Sequence, residues 1–126
     1  MGKKVIDIPN APKLPFSPAI KAGDYIFVSG QVGLVDADGK KLETVEAQTK
    51  QCLENIKQIL AVAGSSLADV VKVTVFLSRL DDFARMNETY QGYFQKDFPA
   101  RTTAIAGLVH PRILVEIECI AYCPSR

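Results

Sequence analysis

From Asp24 to Gln31 (DYIFVSGQ) side chains alternate, with Tyr25, Phe27 and Ser29 on one face and Ile26, Val28 and Gly30 on the other. Both sets are largely apolar, which predicts a strand covered on both sides. A second short strand is expected over 32–35, turning at Asp36-Ala37-Asp38-Gly39, because Asp-Gly is a strong hairpin signal. From 44 to 63 the period becomes helical. Val45, Cys52, Leu53, Ile56, Ile59, Leu60 and Ala63 fall at i, i+3, i+4 spacings, with Gln48, Lys50, Gln51, Glu54 and Lys57 expected outward. Gly64 stops this helix, and Ser66-Leu67-Ala68-Asp69 has capping-box spacing over one short turn. Val70 to Leu77 (VVKVTVFL) is a β-branched run that suits a central strand. Asp81-Asp82 then places negative charge ahead of a second helix over 83–94, with Phe83, Met86, Tyr90 and Phe94 as its inner stripe.

The C-terminal stretch from Phe98 to Cys123 reads as two strands, 101–106 and 113–123, joined through Gly107 and His110-Pro111 as a hairpin. On the second strand Ile113, Val115, Ile117, Cys119 and Ala121 share a core face. Leu114, Glu116, Glu118, Ile120 and Tyr122 share the other, where two carboxylates sit among apolar groups. Hairpin pairing would bring Arg101 near Glu116 and Glu118 as a charged spot beside an apolar sheet.

The opening segment holds Pro9, Pro12, Pro15 and Pro18, so only 5–8 is expected as a short edge strand and the rest as an ordered arm, with Phe16 anchored in a pocket. The resulting order is β-β-α-β-α-β-β, an α+β fold with two helices on one face of a mixed sheet. The other sheet face would expose Tyr25 or Ile26, Thr74, Phe76, Leu114 and Ile120, a patch that predicts a homo-oligomer closing these faces against each other.

Composition narrows the functional classes. The 126 residues read as a single domain over 1–126, at 48% hydrophobic and 23% charged an ordinary globular balance. A net charge of +1 argues against a nucleic-acid groove, which needs a basic excess. No apolar run reaches the roughly 20 residues of a membrane span, and the N-terminus lacks the pattern of a secretory signal, so a cytoplasmic chain without a membrane partner is expected. Cys52, Cys119 and Cys123 lack C-x-x-C spacing. Cys119 and Cys123 would lie about 13 Å apart on one strand, too far for a disulfide. All three are expected as buried thiols. His110, the one histidine, is expected in a solvated loop, which rules out a histidine pair or a histidine-rich metal site.

Four segments, APKLPFSPAIKAG, FVSGQVG, TVFLSRLDDFARMNETY and FPARTTAIAG with VEIECIA after it, together resemble the Rid (YjgF-type) family over nearly the whole chain and in the right order. The resemblance implies a chorismate-mutase-like α+β fold and a homotrimer with a barrel-like centre and clefts between subunits. It further implies hydrolysis of reactive 2-enamine and 2-imino acids, such as 2-aminoacrylate, 2-iminopropanoate and 2-iminobutanoate, to 2-keto acids and ammonia, with no cofactor and no metal. Matched by position, Arg101 is the arginine that holds the substrate carboxylate and Glu116 the glutamate that activates water. Ser29 and Gly30 belong to the pocket wall, and Asn87 is the helix asparagine. Two positions depart from the family pattern: Phe16 replaces a frequent tyrosine, and Thr103 stands where a cysteine is frequent.

The residue types fit this chemistry, since a guanidinium fork binds a carboxylate bidentately and a glutamate can orient or deprotonate water. Two other functions stand beside it. A non-catalytic ligand-binding or regulatory trimer is motivated by the hydroxyl lost at Phe16. An endoribonuclease or translation inhibitor is opposed by the near-zero charge and the single histidine.

Overall fold

The computed structural model describes residues 2–124. Six strands form one mixed sheet: β1 (Lys3–Ile6), β2 (Ala19–Ala22), β3 (Tyr25–Val32), β4 (Val70–Leu77), β5 (Ala100–Ile105) and β6 (Val115–Tyr122), in the order β1-β2-β3-β6-β4-β5. Two helices, α1 (Val45–Val62) and α2 (Phe83–Gln91), cover one face. The fold is α+β, as expected. Among the described residues only β4 and β5 pair in parallel, joined through α2; α1 links β3 to β4, with β6 lying between them.

The C-terminal hairpin does not form. β4 lies between β5 and β6, pairing parallel with the first and antiparallel with the second. The side-chain parity expected for β6 nevertheless holds. Val115, Ile117 and Ala121 are fully buried and Cys119 is nearly so, whereas Tyr122 on the alternate face is 44% exposed. Pairing partners differ from the expectation because a hairpin is only the most local solution; β4 instead fills both of its hydrogen-bonding edges, with β5 and with β6.

Other departures are local. No separate strand forms over 32–35, because β3 runs on to Val32 and only a Val35–Lys41 bridge remains. The Asp-Gly turn does form. Asp36 Oδ1 accepts from the backbone N–H of Asp38 and Lys40, and Gly39 has φ of 82°, which glycine adopts without strain. An unexpected strand, β2, follows the arm directly, and the edge strand β1 starts two residues before its expected position. β3 is covered on one face alone: Ile26 is buried, whereas Tyr25 and Phe27 stay 44% and 46% exposed.

Thr44 caps α1 by accepting the Ala47 N–H at 3.1 Å. The helix buries Val45, Cys52, Leu53, Ile56, Ile59 and Leu60 against the sheet, each large aliphatic contributing roughly 2 kcal/mol. Gln48, expected outward, is buried too. Its Nε2 donates to Leu42 O and Arg112 O, both at 2.9 Å, and its Oε1 accepts from Leu114 N at 2.8 Å. Gln48 thereby ties α1 to the chain just before Glu116. In α2, Met86 and Tyr90 are buried but Phe83 is 41% exposed, and the helix ends at Gln91, short of Phe94. Asp82 is fully buried where α2 begins, accepting from Arg79 and Arg85. Ser66 makes no side-chain cap. All three cysteines are free, with Cys52 and Cys119 buried and Cys123 partly exposed.

Candidate active site

Arg101 is the second residue of β5, at the sheet edge. Its register partner Val73 is buried on the helix-covered face, so Arg101 points that way, toward α2. There its Nη2 donates to Asn87 Oδ1 at 2.6 Å, and its guanidinium carbon lies 4.7 Å from the centre of the Tyr90 ring. The Phe83 ring is 6.0 Å away. A hollow of about 350 Å³ opens here, lined by Asn87, Tyr90, Gln91, Phe98, Pro99 and Arg101. Thr103, two residues on, shares this face of β5 and pairs in register with buried Val75. Among the described residues no carboxylate lies within ion-pair distance of Arg101. Its partners are an amide oxygen and ring faces, which orient a cation without neutralising it. Burial raises the Tyr90 phenol above its ordinary value, against the lowering effect of the arginine.

The second group of residues lies elsewhere. Glu116 stands on the open face of β6, beside Phe76 of β4 in register. Its side chain folds over Gly30: a Cβ added at Gly30 would collide with Glu116 Oε2. A side chain at position 30 would push the Glu116 carboxylate out of this place. Partial burial raises the Glu116 carboxyl above the usual range, and the charge of Glu118 adds to the shift. Ser29 faces the arm. Its Oγ donates to Ser17 O at 2.6 Å and its N–H to Pro18 O at 3.0 Å, so it ties the arm to β3. A bulge between Val28 and Gln31 re-aims β3 at this point. Phe16 reaches the same region but is 58% exposed; it lines the mouth of a hollow and is not anchored within one.

The sequence-expected residues therefore form two groups: Arg101, Asn87 and Thr103 at the β5–α2 edge, and Glu116, Gly30, Ser29 and Phe16 where β3, β6 and the arm meet. The expected charged spot joining Arg101 to Glu116 and Glu118 is absent, because β4 intervenes and the side chains point to opposite faces. Two strand spacings and three residues of rise separate their backbones by roughly 14 Å. Tyr90 was expected only as core packing; its place three residues after Asn87 on one helix face is the signal that links it to Arg101. Neither Cys119, whose thiol burial pushes up to about 12, nor Cys52, raised further by burial, is a thiolate at neutral pH.

The family model described as Endoribonuclease L-PSP matches residues 8–123. A RutC family protein of Pyrococcus horikoshii is 47% identical over 123 residues, covering 95% of this chain and 98% of its own length. The 2-iminobutanoate/2-iminopropanoate deaminase of Salmonella typhimurium is 37% identical, over 94% of this chain and 96% of its own. Among solved structures, the Rid-family protein YyfA of Yersinia pestis superposes with a TM-score of 0.87 at 35% identity, over 96% of this chain and 99% of that one. With its motifs, sheet order and relatives in agreement, the chain belongs to the Rid family, also described as endoribonuclease L-PSP.

Proposed function

We propose that the protein hydrolyses 2-imino acids, including 2-iminopropanoate and 2-iminobutanoate and their enamine forms, to 2-keto acids and ammonia. The observation that carries this reading is Arg101, a cation held by Asn87 and Tyr90 with no carboxylate partner among the described residues. Such a group is prepared for a small carboxylate. The name of the Salmonella relative supports the same chemistry.

The half-sites lie on opposite sheet faces, so the reading includes a homotrimer in which Arg101, Asn87 and Thr103 of one subunit face Glu116, Gly30, Ser29 and Phe16 of the next. The exposed Tyr25, Phe27 and Tyr122 rings on the open face supply apolar surface for that assembly. In the cleft, the substrate carboxylate pairs with Arg101. Water attacks the imine carbon as Glu116 takes its proton and passes it to the nitrogen, and the hydroxyl proton follows the same route as the carbinolamine collapses. A C–O bond forms, the carbinolamine collapses, the C–N bond breaks, and ammonia leaves with the keto acid. A carboxylate raised above its ordinary range is a better base near neutral pH than an ordinary glutamate. No step calls for a cofactor. Positioning and electrostatics supply the help, since imines already hydrolyse unaided.

A cytoplasmic location belongs to the same proposal. No helix among the described residues is long and apolar enough to cross a membrane. A second reading, a trimer that binds keto acids without turnover, is favoured by one feature: Phe16 offers no hydroxyl to place a water. The deciding assay is keto-acid release from 2-iminopropanoate and 2-iminobutanoate generated in situ by an amino-acid oxidase. Acceleration over buffer that Arg101→Ala abolishes supports the deaminase; tight keto-acid binding without acceleration supports the binding trimer. A nuclease role has less support, because His110 is the one histidine and its Nδ1 already accepts from Arg112 N at 3.0 Å.

A further inference from the structure

Next to Gly30 a separate hollow of about 320 Å³ opens beneath the arm, walled by Ile8, Leu14 and Phe16 from the arm, Val32 from β3 and Ile59 from α1. Strand pairing explains why it exists. β2 covers the edge of β3 only from Tyr25 to Val28, so from Ser29 onward no strand occupies that edge and the arm bridges the gap. Gly30 belongs to both places: it is part of the wall of this hollow, and Glu116 lies across it. The hollow therefore adjoins, through Gly30, the carboxylate assigned to water activation, which does not itself line it.

None of the residues lining the hollow is charged. Its amides are largely engaged: Asn55 Nδ2 donates to Val32 O at 3.2 Å, Asn55 Oδ1 accepts from Gln51 Nε2 at 2.8 Å, and Gln31 Nε2 donates to Ser29 O at 3.1 Å. Apart from the exposed Gln58 amide, the wall thus presents mainly hydrocarbon. A polar guest would lose hydration there without recovering it, whereas an apolar one gains from leaving water. A methyl group leaves most of this volume unfilled.

We propose that the hollow receives the side chain of the substrate, and that the protein prefers 2-imino acids with branched or aromatic apolar side chains over 2-iminopropanoate. This rests on the deaminase reading and adds the substrate class to it. Interactions with a remote apolar group raise kcat/KM when they are made in the transition state. A few added methylenes in a fitted pocket give a preference of about tenfold or more.

The test uses the intact protein with imines generated in situ by an amino-acid oxidase from alanine, leucine and phenylalanine, followed by keto-acid formation. Two arm variants accompany it, each checked for unchanged melting and oligomeric mass. Ala11→Trp adds bulk at an exposed residue lining the hollow, and Leu14→Ala removes a wall. The expected result is a kcat/KM at least about tenfold higher for the leucine-derived imine than for 2-iminopropanoate. Ala11→Trp should erase that preference while leaving 2-iminopropanoate turnover unchanged, and Leu14→Ala should shift the preference toward the phenylalanine-derived imine. If 2-iminopropanoate is turned over as well as the larger imines, or the arm variants change all three alike, the inference falls and the deaminase reading stands. If no imine is accelerated, the deaminase reading falls and takes this inference with it.

Discussion

The Arg101 end and the Glu116 end of the molecule are built on opposite electrostatic plans. Arg101 is surrounded by neutral partners, the Asn87 amide and the Tyr90 ring, so its charge is oriented but left uncompensated. Glu116 is crowded and desolvated, with a second acid two residues away, so its charge is disfavoured. A guanidinium kept for an anion and a carboxylate inclined to take a proton are complementary tools for hydrolysing an imino acid. On one chain they face away from each other. Under the proposed reading the unit of function is larger than the unit of folding, because a second copy would bring the two ends together.

The sharpest break of this comparison is Arg101→Ala. Removing the cation should lower kcat/KM for 2-iminobutanoate by about 100-fold or more, the scale of a lost bidentate charge pair. Arg101→Lys should recover little of it, because an ammonium lacks the planar fork. Steady-state kinetics with oligomeric mass as a folding control checks both.

Glu116→Gln should reduce kcat by about 100-fold while leaving KM within a few-fold. The pH dependence follows from the raised carboxyl. General-base activity needs the ionised form, so kcat should fall as pH drops through a pKa above the ordinary glutamate range. The elevation comes from burial first and from the charge of Glu118 second. An acid limb at the ordinary glutamate value, or none, would assign Glu116 another role.

Gln48→Ala tests whether the β6 end is set from α1. It leaves Leu114 N–H and two carbonyls without partners, and should cost about 2 kcal/mol in a denaturant melt. The smallest effect is expected from Phe16→Tyr. At a position 58% exposed, restoring the hydroxyl should leave stability unchanged and alter kcat by no more than a few-fold. A gain of 100-fold would instead make Phe16 the determinant of the Glu116 end.

Much of the fold was legible because its local signals agree. The α1 stripe, the β-branched β4 and the alternation of β6 each carry a period that only one secondary structure satisfies. Gln48 shows the limit of reading by residue type. Its position, three after Val45 and four before Cys52, lies on the buried stripe, and only its polarity argued for solvent. β2 was missed because Ala19-Ile20-Lys21-Ala22 has little β propensity of its own and is held by its neighbours β1 and β3. Strand order was not legible either: a hairpin and an insertion of β4 between β5 and β6 are consistent with the same alternation. The site residues were found by motif. Their division between two sheet faces depends on the strand order, and so emerged only with the topology.

The most direct test of a shared cleft is complementation. Arg101→Ala and Glu116→Gln proteins, each inactive alone, are unfolded together, refolded as mixed oligomers and assayed for keto-acid release. If each cleft takes Arg101 from one subunit and Glu116 from its neighbour, random mixing in equal amounts rebuilds about a quarter of the clefts and restores about that share of wild-type activity. If both residues act within one chain, no cleft in the mixture has both, and a mixture as inactive as its components would contradict the account.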